Sequence, residues 1–192
     1  MGGERHDAGK ISGWVEVIVR DKDGKIKYIY APPERLAEIE EEEGVQGNPI
    51  LSSLPAKIAE YYWRKNIVTN AGLAAIIRLI AAGLMEAKFS HIAIGTGTNP
   101  ESVTDTALQQ EIRRKPATVS QTTTTITGDT ALFEATFSSD DGLSGSHNVS
   151  EAGVFNAETG GILLARKVFP AVPLNWDAGD SITIRYFIHM TR

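Results

Sequence analysis

The sequence predicts a mainly β protein, an antiparallel β-sandwich of jelly-roll-like type with one packed α-helix and a short helical insertion. Runs of alternating apolar and polar residues recur along the chain, separated by Gly-, Asp- and Asn-containing turns that suit hairpins. Helical periodicity is confined to one region near the middle. We therefore expect an N-terminal arm at 1–12 and a single sandwich domain at 13–192, with an acidic helical excursion inserted at 31–62.

Residues 13–30 predict the first hairpin. Val15, Val17 and Val19 recur at every second position, which is the period of a strand, and residues 21–24 supply a turn that ends in glycine. Two strands alone are marginally stable in water, so we expect this hairpin to join a larger sheet.

The insertion begins where Pro32 and Pro33 stop the second strand, and it continues as an acidic helix at 34–43 and a turn-rich stretch at 44–55. It is either a solvated helix that covers a sheet edge or a contact arm for a neighbouring subunit. Trp176, ahead of the last strand, is a second interface candidate, with a core cap as the alternative. The candidates within and at the end of the insertion are Leu36, Ile39, Tyr61, Tyr62 and Trp63.

The most strongly helical stretch starts at Asn70. This residue can act as the N-cap of a helix over 71–88, because its side chain can accept from the first free amides. A helix with so few charges predicts neighbouring structure on most of its sides. Its large apolar residues recur at three- and four-residue steps and are Leu73, Ile76, Ile77, Ile80 and Leu84.

Two shorter elements follow this helix. Residues 90–95 predict a short buried strand, because its centre is apolar at every position and glycine ends it. Thr104 or Asp105 can cap a second helical turn at 107–112.

The remaining third of the chain predicts strands. Residues 118–127 and 131–137 form a second hairpin, and 149–155 and 162–169 form a third. The stretch 182–190 has the clearest alternation in the sequence, so we expect it to be central to its sheet.

No catalytic, cofactor or metal site is predicted. The chain has no cysteine, and its four histidines are not spaced as metal ligands. The segment Gly95-Thr-Gly-Thr98 follows a strand but lacks the Gly-Lys-Ser/Thr of a phosphate loop, which favours a tight turn. Asp140 and Asp141 resemble part of a calcium loop without its full set of oxygens, so a turn is preferred and a structural calcium is the alternative.

Two further ionisable residues lie in apolar strands. An acid within an apolar strand needs a partner, so we expect Glu151 to form an ion pair with Arg166 or Arg185 that would set strand register. Exposure of Glu151 on an alternating strand is the simpler alternative. His91 is expected to be a structural histidine rather than a base.

The composition limits the classes of partner. The formal net charge is −5 and only Arg113-Arg114-Lys115 forms a basic cluster, which argues against nucleic-acid binding. The longest apolar run is too short to span a bilayer, and the first residues lack the apolar segment of a signal peptide. We expect synthesis in a cytoplasm, with no direct nucleic-acid or membrane contact.

The order of seven short segments is more specific than any one of them. They are the hairpin 15–30, Lys65-Asn-Ile-Val-Thr-Asn-Ala-Gly72, Ser90-His-Ile-Ala-Ile-Gly-Thr-Gly-Thr98, Asp105-Thr-Ala-Leu108 with Glu111 and Arg113, Ser150-Glu-Ala-Gly-Val-Phe-Asn156, Gly160-Gly-Ile-Leu-Leu-Ala-Arg166 and the terminal alternating strand. Their succession resembles a family of tailed-phage and prophage virion proteins, described as tail fibre, tail or baseplate-associated. The insertion at 31–62 departs from the pattern of that family.

The resemblance implies a non-enzymatic building block of a virion, assembled in the host cytoplasm from copies of itself and other virion proteins, without a cofactor or small-molecule ligand. One alternative is a decoration or cement protein that stabilises the capsid shell. Another is a glycan or receptor-binding module, for which the sequence offers Trp176 flanked by Asn175 and Asp177.

Overall fold

The computed structural model describes residues 10–42, 66–81 and 87–191, and these residues form a β-sandwich of two antiparallel five-stranded sheets. The predicted sandwich is confirmed. The α-helices of the described residues are α1 (Pro33–Glu42) and α2 (Asn70–Ile80). In chain order the strands are β1 (Lys10–Arg20), β2 (Ile26–Tyr30), β3 (Ile67–Val68), β4 (His91–Gly95), β5 (Glu111–Pro116), β6 (Thr118–Thr122), β7 (Thr130–Phe137), β8 (Ser146–Phe155), β9 (Leu163–Asn175) and β10 (Ser181–Thr191).

The first sheet has the strand order β2-β1-β10-β7-β6 and the second has the order β3-β9-β8-β4-β5. The hairpins β1–β2, β6–β7 and β8–β9 occur where the turn residues predict them. The last strand, β10, is central to the first sheet as predicted, because it pairs with β1 on one side and β7 on the other. Its residues Ile182, Ile184 and Tyr186 are fully buried, whereas Met190, near the end of the strand, is exposed.

The first strand begins earlier than the predicted arm boundary at residue 12. Lys10 pairs with Thr191 and Ser12 pairs with His189, so residues 10–12 belong to the sandwich. The reason is that β10 continues to Thr191 and leaves backbone groups that a neighbouring strand can pair.

The main core lies between the sheets and is built from the inward positions of their strands. Its fully buried members include Val17, Ile94, Val154, Ile184 and Trp176.

A second, smaller cluster lies under α1. Ile39 of the helix packs with Ile18 and Ile29 of the first sheet, and Leu36 is half-buried against the same cluster. Arg35 also ties α1 to the sheet, because its Nε donates to Oε1 of the fully buried Glu16 at 2.9 Å. The predicted acidic helix is therefore present and is docked on the sheet rather than solvated on all sides.

The central helix differs from its prediction at both ends. Thr69, not Asn70, is the N-cap, and its hydroxyl accepts from Gly72 N at 2.9 Å. Thr69 takes this place because the same hydroxyl donates to Leu163 O on β9, which fixes the start of the helix against the second sheet. The helix ends at Ile80 instead of continuing to residue 88.

Residues 107–112 do not form the predicted helical turn. Residues 111–116 are instead strand β5, which pairs with β4 along Ile92, Ala93 and Ile94. The amides of Gln109 and Gln110, which would lie inside such a turn, donate to the Glu151 side chain. A buried carboxylate thus replaces the helical hydrogen bonds of this segment.

Strand β9 is longer than predicted and continues through Pro170 and Pro173. The short neighbour β3 pairs only with Ala165 and Arg166, so no described strand pairs the far half of β9 on that side. Proline is tolerated at such an edge because no ladder hydrogen bond is lost.

Candidate functional site

A buried charge cluster joins the loop after β4 to strands β8 and β9. Glu151 of β8 is fully buried, and its Oε1 accepts from Gly97 N at 3.0 Å and from Gln110 N at 2.7 Å. Its Oε2 accepts from Gln109 N at 3.0 Å and lies 2.8 Å from Nη2 of Arg166. The predicted ion pair with Arg166 is confirmed, and the exposed position considered for Glu151 is wrong.

Arg166 extends this cluster to a second carboxylate. Its Nη1 donates to Asp105 Oδ2 at 3.0 Å and its Nη2 donates to Asn99 O at 3.2 Å. Burial by itself lowers the pKa of Arg166. The hydrogen bonds and charges of Asp105 and Glu151 outweigh this effect, so the pKa lies above the ordinary value of an arginine. The guanidinium is therefore a permanent cation held between two anions.

The Glu151 carboxylate packs closely against the Gly-Thr-Gly-Thr turn at 95–98. A Cβ placed on Gly95 or on Gly97 would lie 2.5 Å or 2.4 Å from Glu151 Oε1. The backbone therefore approaches the carboxylate more closely than any other residue would allow. The arrangement resembles an anion site in which the anion is part of the chain, which fits the predicted tight turn.

The motifs that carry the virion-protein resemblance meet in this region. Thr69 is bonded to Leu163 O, Gly97 and Gln109 are bonded to Glu151, and Arg166 is bonded to Asp105. These contacts join the side chains of the cluster to one another and to backbone amides and carbonyls. The motifs thus describe a scaffold.

The most unusual surface on this scaffold is one face of α2. Gly72 and Ala75 are buried, and a Cβ on Gly72 would lie 2.5 Å from Leu164 O, so this side of the helix lies directly on β9. On the other side, Leu73, Ile77 and Ile80 are 39%, 63% and 70% exposed. They follow one another along the helix at steps of four and three positions and therefore lie on one face, which we call the α2 stripe.

The α2 stripe contradicts the prediction that this helix is covered on most sides. Leu79 of the same helix is 42% exposed, and Val103, whose carbonyl accepts from Asn70 N at the start of the helix, is 47% exposed. The small residues Gly72 and Ala75 were the sequence signal for the packed face, because only small side chains permit such close contact. Of the larger apolar side chains expected to be covered, Ile76 packs against the main core, whereas Leu73, Ile77 and Ile80 are exposed.

The predicted interface residues lie elsewhere. Leu36 and Ile39 pack beneath α1 within the same chain, and Tyr61, Tyr62 and Trp63 lie outside the described residues. Trp176 is 1% exposed and its Nε1 donates to His147 Nδ1 at 2.9 Å, which confirms the core-cap alternative. Its buried ring cannot serve as the glycan platform that the sequence suggested.

Other candidate groups have structural partners. Asp141 closes a capping box with Ser138 and accepts from Lys115 Nζ at 2.5 Å. His189 Nε2 lies 3.1 Å from Asp129 Oδ2, and His91 lies 3.0 Å from the Ser90 hydroxyl. Within residues 10–42, 66–81 and 87–191, no group of three or more His, Asp or Glu side chains could hold a metal ion.

Comparisons with protein families, with curated proteins and with solved structures found no match to this chain. In the part of the chain that the structure describes, no helix has the length and apolar character needed to cross a membrane.

Proposed function

We propose that the protein is a non-enzymatic structural component of a tailed-phage or archaeal-virus particle, at the level of the tail, baseplate or fibre, and that it assembles by self-association. The observation that carries this proposal is the α2 stripe, an exposed apolar helix face on a rigid sandwich. The resemblance of the ordered sequence segments supports the virion setting, and those segments form the scaffold that presents the stripe.

A second copy of this chain is the occupant that we propose for the stripe. Leu73, Ile77 and Ile80 present a narrow apolar surface without an ionisable group among them, and like surfaces of this kind can pair around a symmetry axis. Burying one large aliphatic side chain contributes roughly 1.5–3 kcal/mol. Since about half of each side chain remains exposed, each would contribute on the order of 1 kcal/mol per subunit.

The test is the molar mass of the purified protein in solution, measured by light scattering. We expect a closed oligomer for the unmodified chain and a monomer for Ile77→Glu, because a glutamate in the contact must lose its water. That change should weaken self-association about a hundredfold. Electron microscopy of the oligomer should show rotational symmetry.

Val119→Glu is the matched control. Val119 is 48% exposed on the outer strand β6, so it receives the same charge change outside the stripe, and the oligomer should persist. An unmodified chain that stays monomeric at every concentration would contradict the proposal and favour the capsid-decoration alternative. Loss of the oligomer in both variants would move the interface away from α2.

Replacing residues 44–62 with a short flexible linker tests whether the insertion, rather than a second copy of the chain, covers the stripe. If the insertion supplied the cover of the stripe, its removal would strengthen self-association, whereas a contact arm would weaken it. A shortened protein with unchanged mass and unchanged sensitivity to Ile77→Glu would assign the contact to α2 alone.

A further inference from the structure

The outer face of the first sheet holds an open trough of about 480 Å³. Its floor contains Trp14 of β1, Phe187 of β10 and Leu132 of β7, which are neighbours across the sheet. Arg35 and Glu38 of α1 form one wall. Residues 122–124, at the end of β6, form the other wall.

The aromatic part of the floor is a stacked pair of rings. The rings of Trp14 and Phe187 stack with their centroids 4.6 Å apart and their planes 9° from parallel, and His189 meets Trp14 edge-on. The Trp14 indole N–H is buried and has no hydrogen-bond acceptor among the described residues. The stacked rings provide apolar surface at the floor of the trough, which suits the C–H groups of a ligand, and the buried indole N–H reports on the environment of that floor.

Charged side chains line the trough in balanced pairs. Arg35 pairs with Glu38, and Arg185 Nε donates to Glu134 Oε2 at 2.6 Å. Beneath them, Glu16 is fully buried, and its Oε2 has no hydrogen-bond partner in the described residues, with Arg185 Nη1 at 3.9 Å. Two cations and two carboxylates therefore line the trough, with the Glu16 carboxylate buried beneath them, so the trough has no excess positive charge to attract a phosphate or another polyanion.

The threonine wall is fixed by a neighbouring carboxylate. The amide of Thr124 donates to Asp129 Oδ1 at 2.8 Å, and the Thr123 hydroxyl accepts from Gly128 N at 3.1 Å. The hydroxyl-bearing side chains of this wall are consequently held at one side of the trough without using its charged groups.

We propose that this trough binds a neutral polyhydroxylated ligand, a saccharide. A sugar ring can place C–H groups against the aromatic floor while its hydroxyls bond to the paired Arg and Glu side chains and the threonines. The balanced charges favour a neutral ligand over an acidic one. This inference goes beyond the proposed structural function and does not depend on self-association through α2.

The experiment is a titration of the ¹⁵N-labelled full chain with soluble neutral oligosaccharides, following the Trp14 indole signal by NMR. The signal is assigned by its loss in Trp14→Phe. We expect a saturable shift for at least one neutral oligosaccharide, and a weaker shift for its carboxylated analogue. A glycan array supplies the range of sugars, and titration with a long polysaccharide carrying the same repeat distinguishes a free sugar from a surface polymer.

Glu134→Gln and Glu111→Gln form a matched pair. Each removes the charge of a partly exposed glutamate paired with an arginine, but Glu134 lines the trough and Glu111 pairs with Arg114 on the other sheet. We expect Glu134→Gln to weaken saccharide binding about tenfold and Glu111→Gln to leave it unchanged. No binding on the array and no Trp14 shift, or equal loss in both variants, would overturn the proposal.

Discussion

Two buried glutamates of this protein, each on a strand and each paired with arginine, have opposite surroundings. Glu151 accepts three backbone amide bonds and pairs with a buried Arg166. Glu16 accepts one hydrogen bond, from the partly exposed Arg35, and has an oxygen without a hydrogen-bond partner in the described residues. A fully bonded carboxylate organises backbone, whereas an incompletely bonded buried one leaves part of its hydrogen-bonding capacity unfilled.

The difference also separates two kinds of site that a sequence pattern does not distinguish. The Glu151 cluster contains the motifs that resemble virion proteins, yet every oxygen of its carboxylate is used internally. The trough near Glu16 contains no recognisable motif, yet it offers aromatic surface, charge pairs and hydroxyls. The motifs of this protein therefore lie in its scaffold, whereas the trough, for which we propose ligand binding, carries none of them.

The largest expected effect is that of Glu151→Ala. It leaves Arg166 buried with one carboxylate fewer and frees the amides of Gly97, Gln109 and Gln110. Removing one partner of a buried ion pair typically costs about 3–5 kcal/mol. Urea unfolding followed by circular dichroism measures this loss, and a change under about 1 kcal/mol would mean that the cluster is not the organising element.

Glu16→Ala sharpens the comparison because it removes the other buried carboxylate. Only one hydrogen bond is lost, and Arg35 keeps its contact with Glu38 and part of its hydration. We expect a loss of about 1–2 kcal/mol in the same unfolding experiment, clearly smaller than for Glu151→Ala. Equal losses for the two variants would remove the distinction between a bonded and an unfilled site.

The Asp129 carboxylate accepts backbone amide bonds beside the threonine wall of the trough, and its ionisation shows whether these bonds stabilise the fold. Partial burial opposes its ionisation, but the amides of Ile126, Thr124 and Thr125 donate to the carboxylate and hold its pKa well below its usual range. A carboxylate with a lowered folded-state pKa stabilises the fold above its unfolded pKa of about 3.9, and this contribution declines as the pH falls below it.

Asp129→Asn should therefore lower the melting temperature at neutral pH. The difference from the unmodified chain should stay constant down to about pH 4 and shrink at more acidic pH. Thermal unfolding at several pH values measures it, with Asp140→Asn as the control for an exposed aspartate. A difference that grows as the pH falls would contradict the assigned cause.

Strand positions could be predicted from the sequence because alternation is a local property. The hairpins and the central place of the last strand follow from period-two runs and turn residues that lie next to each other in the chain. Glu151 and Arg166 were also predictable as a pair, since a charge inside an apolar strand requires a partner. The other proposed partner, Arg185, lies on the first sheet and bonds Glu134 instead.

The errors arise where distant residues compete with local preference. Thr104 or Asp105 could cap a helical turn at 107–112. The Glu151 carboxylate instead accepts hydrogen bonds from two amides of this segment, and a strand forms from residue 111. The residues of the α2 stripe were expected to be covered, because periodicity shows which residues share a helix face but not which face the sheet covers. For Trp176 the sequence left an interface and a core cap open, and the structure shows the core cap.

By itself, the sequence determined the sandwich class, the hairpin pairings and the need for a partner at Glu151, since these depend on neighbouring residues and on the desolvation of charge. Only the tertiary structure decided which apolar helix face remains exposed and which aromatic side chains line a trough. These properties depend on where residues more than a hundred positions apart, such as Trp14 and Phe187, meet across the sheet. Burial and open hydrogen-bonding capacity are consequences of that packing, and local sequence patterns do not contain them.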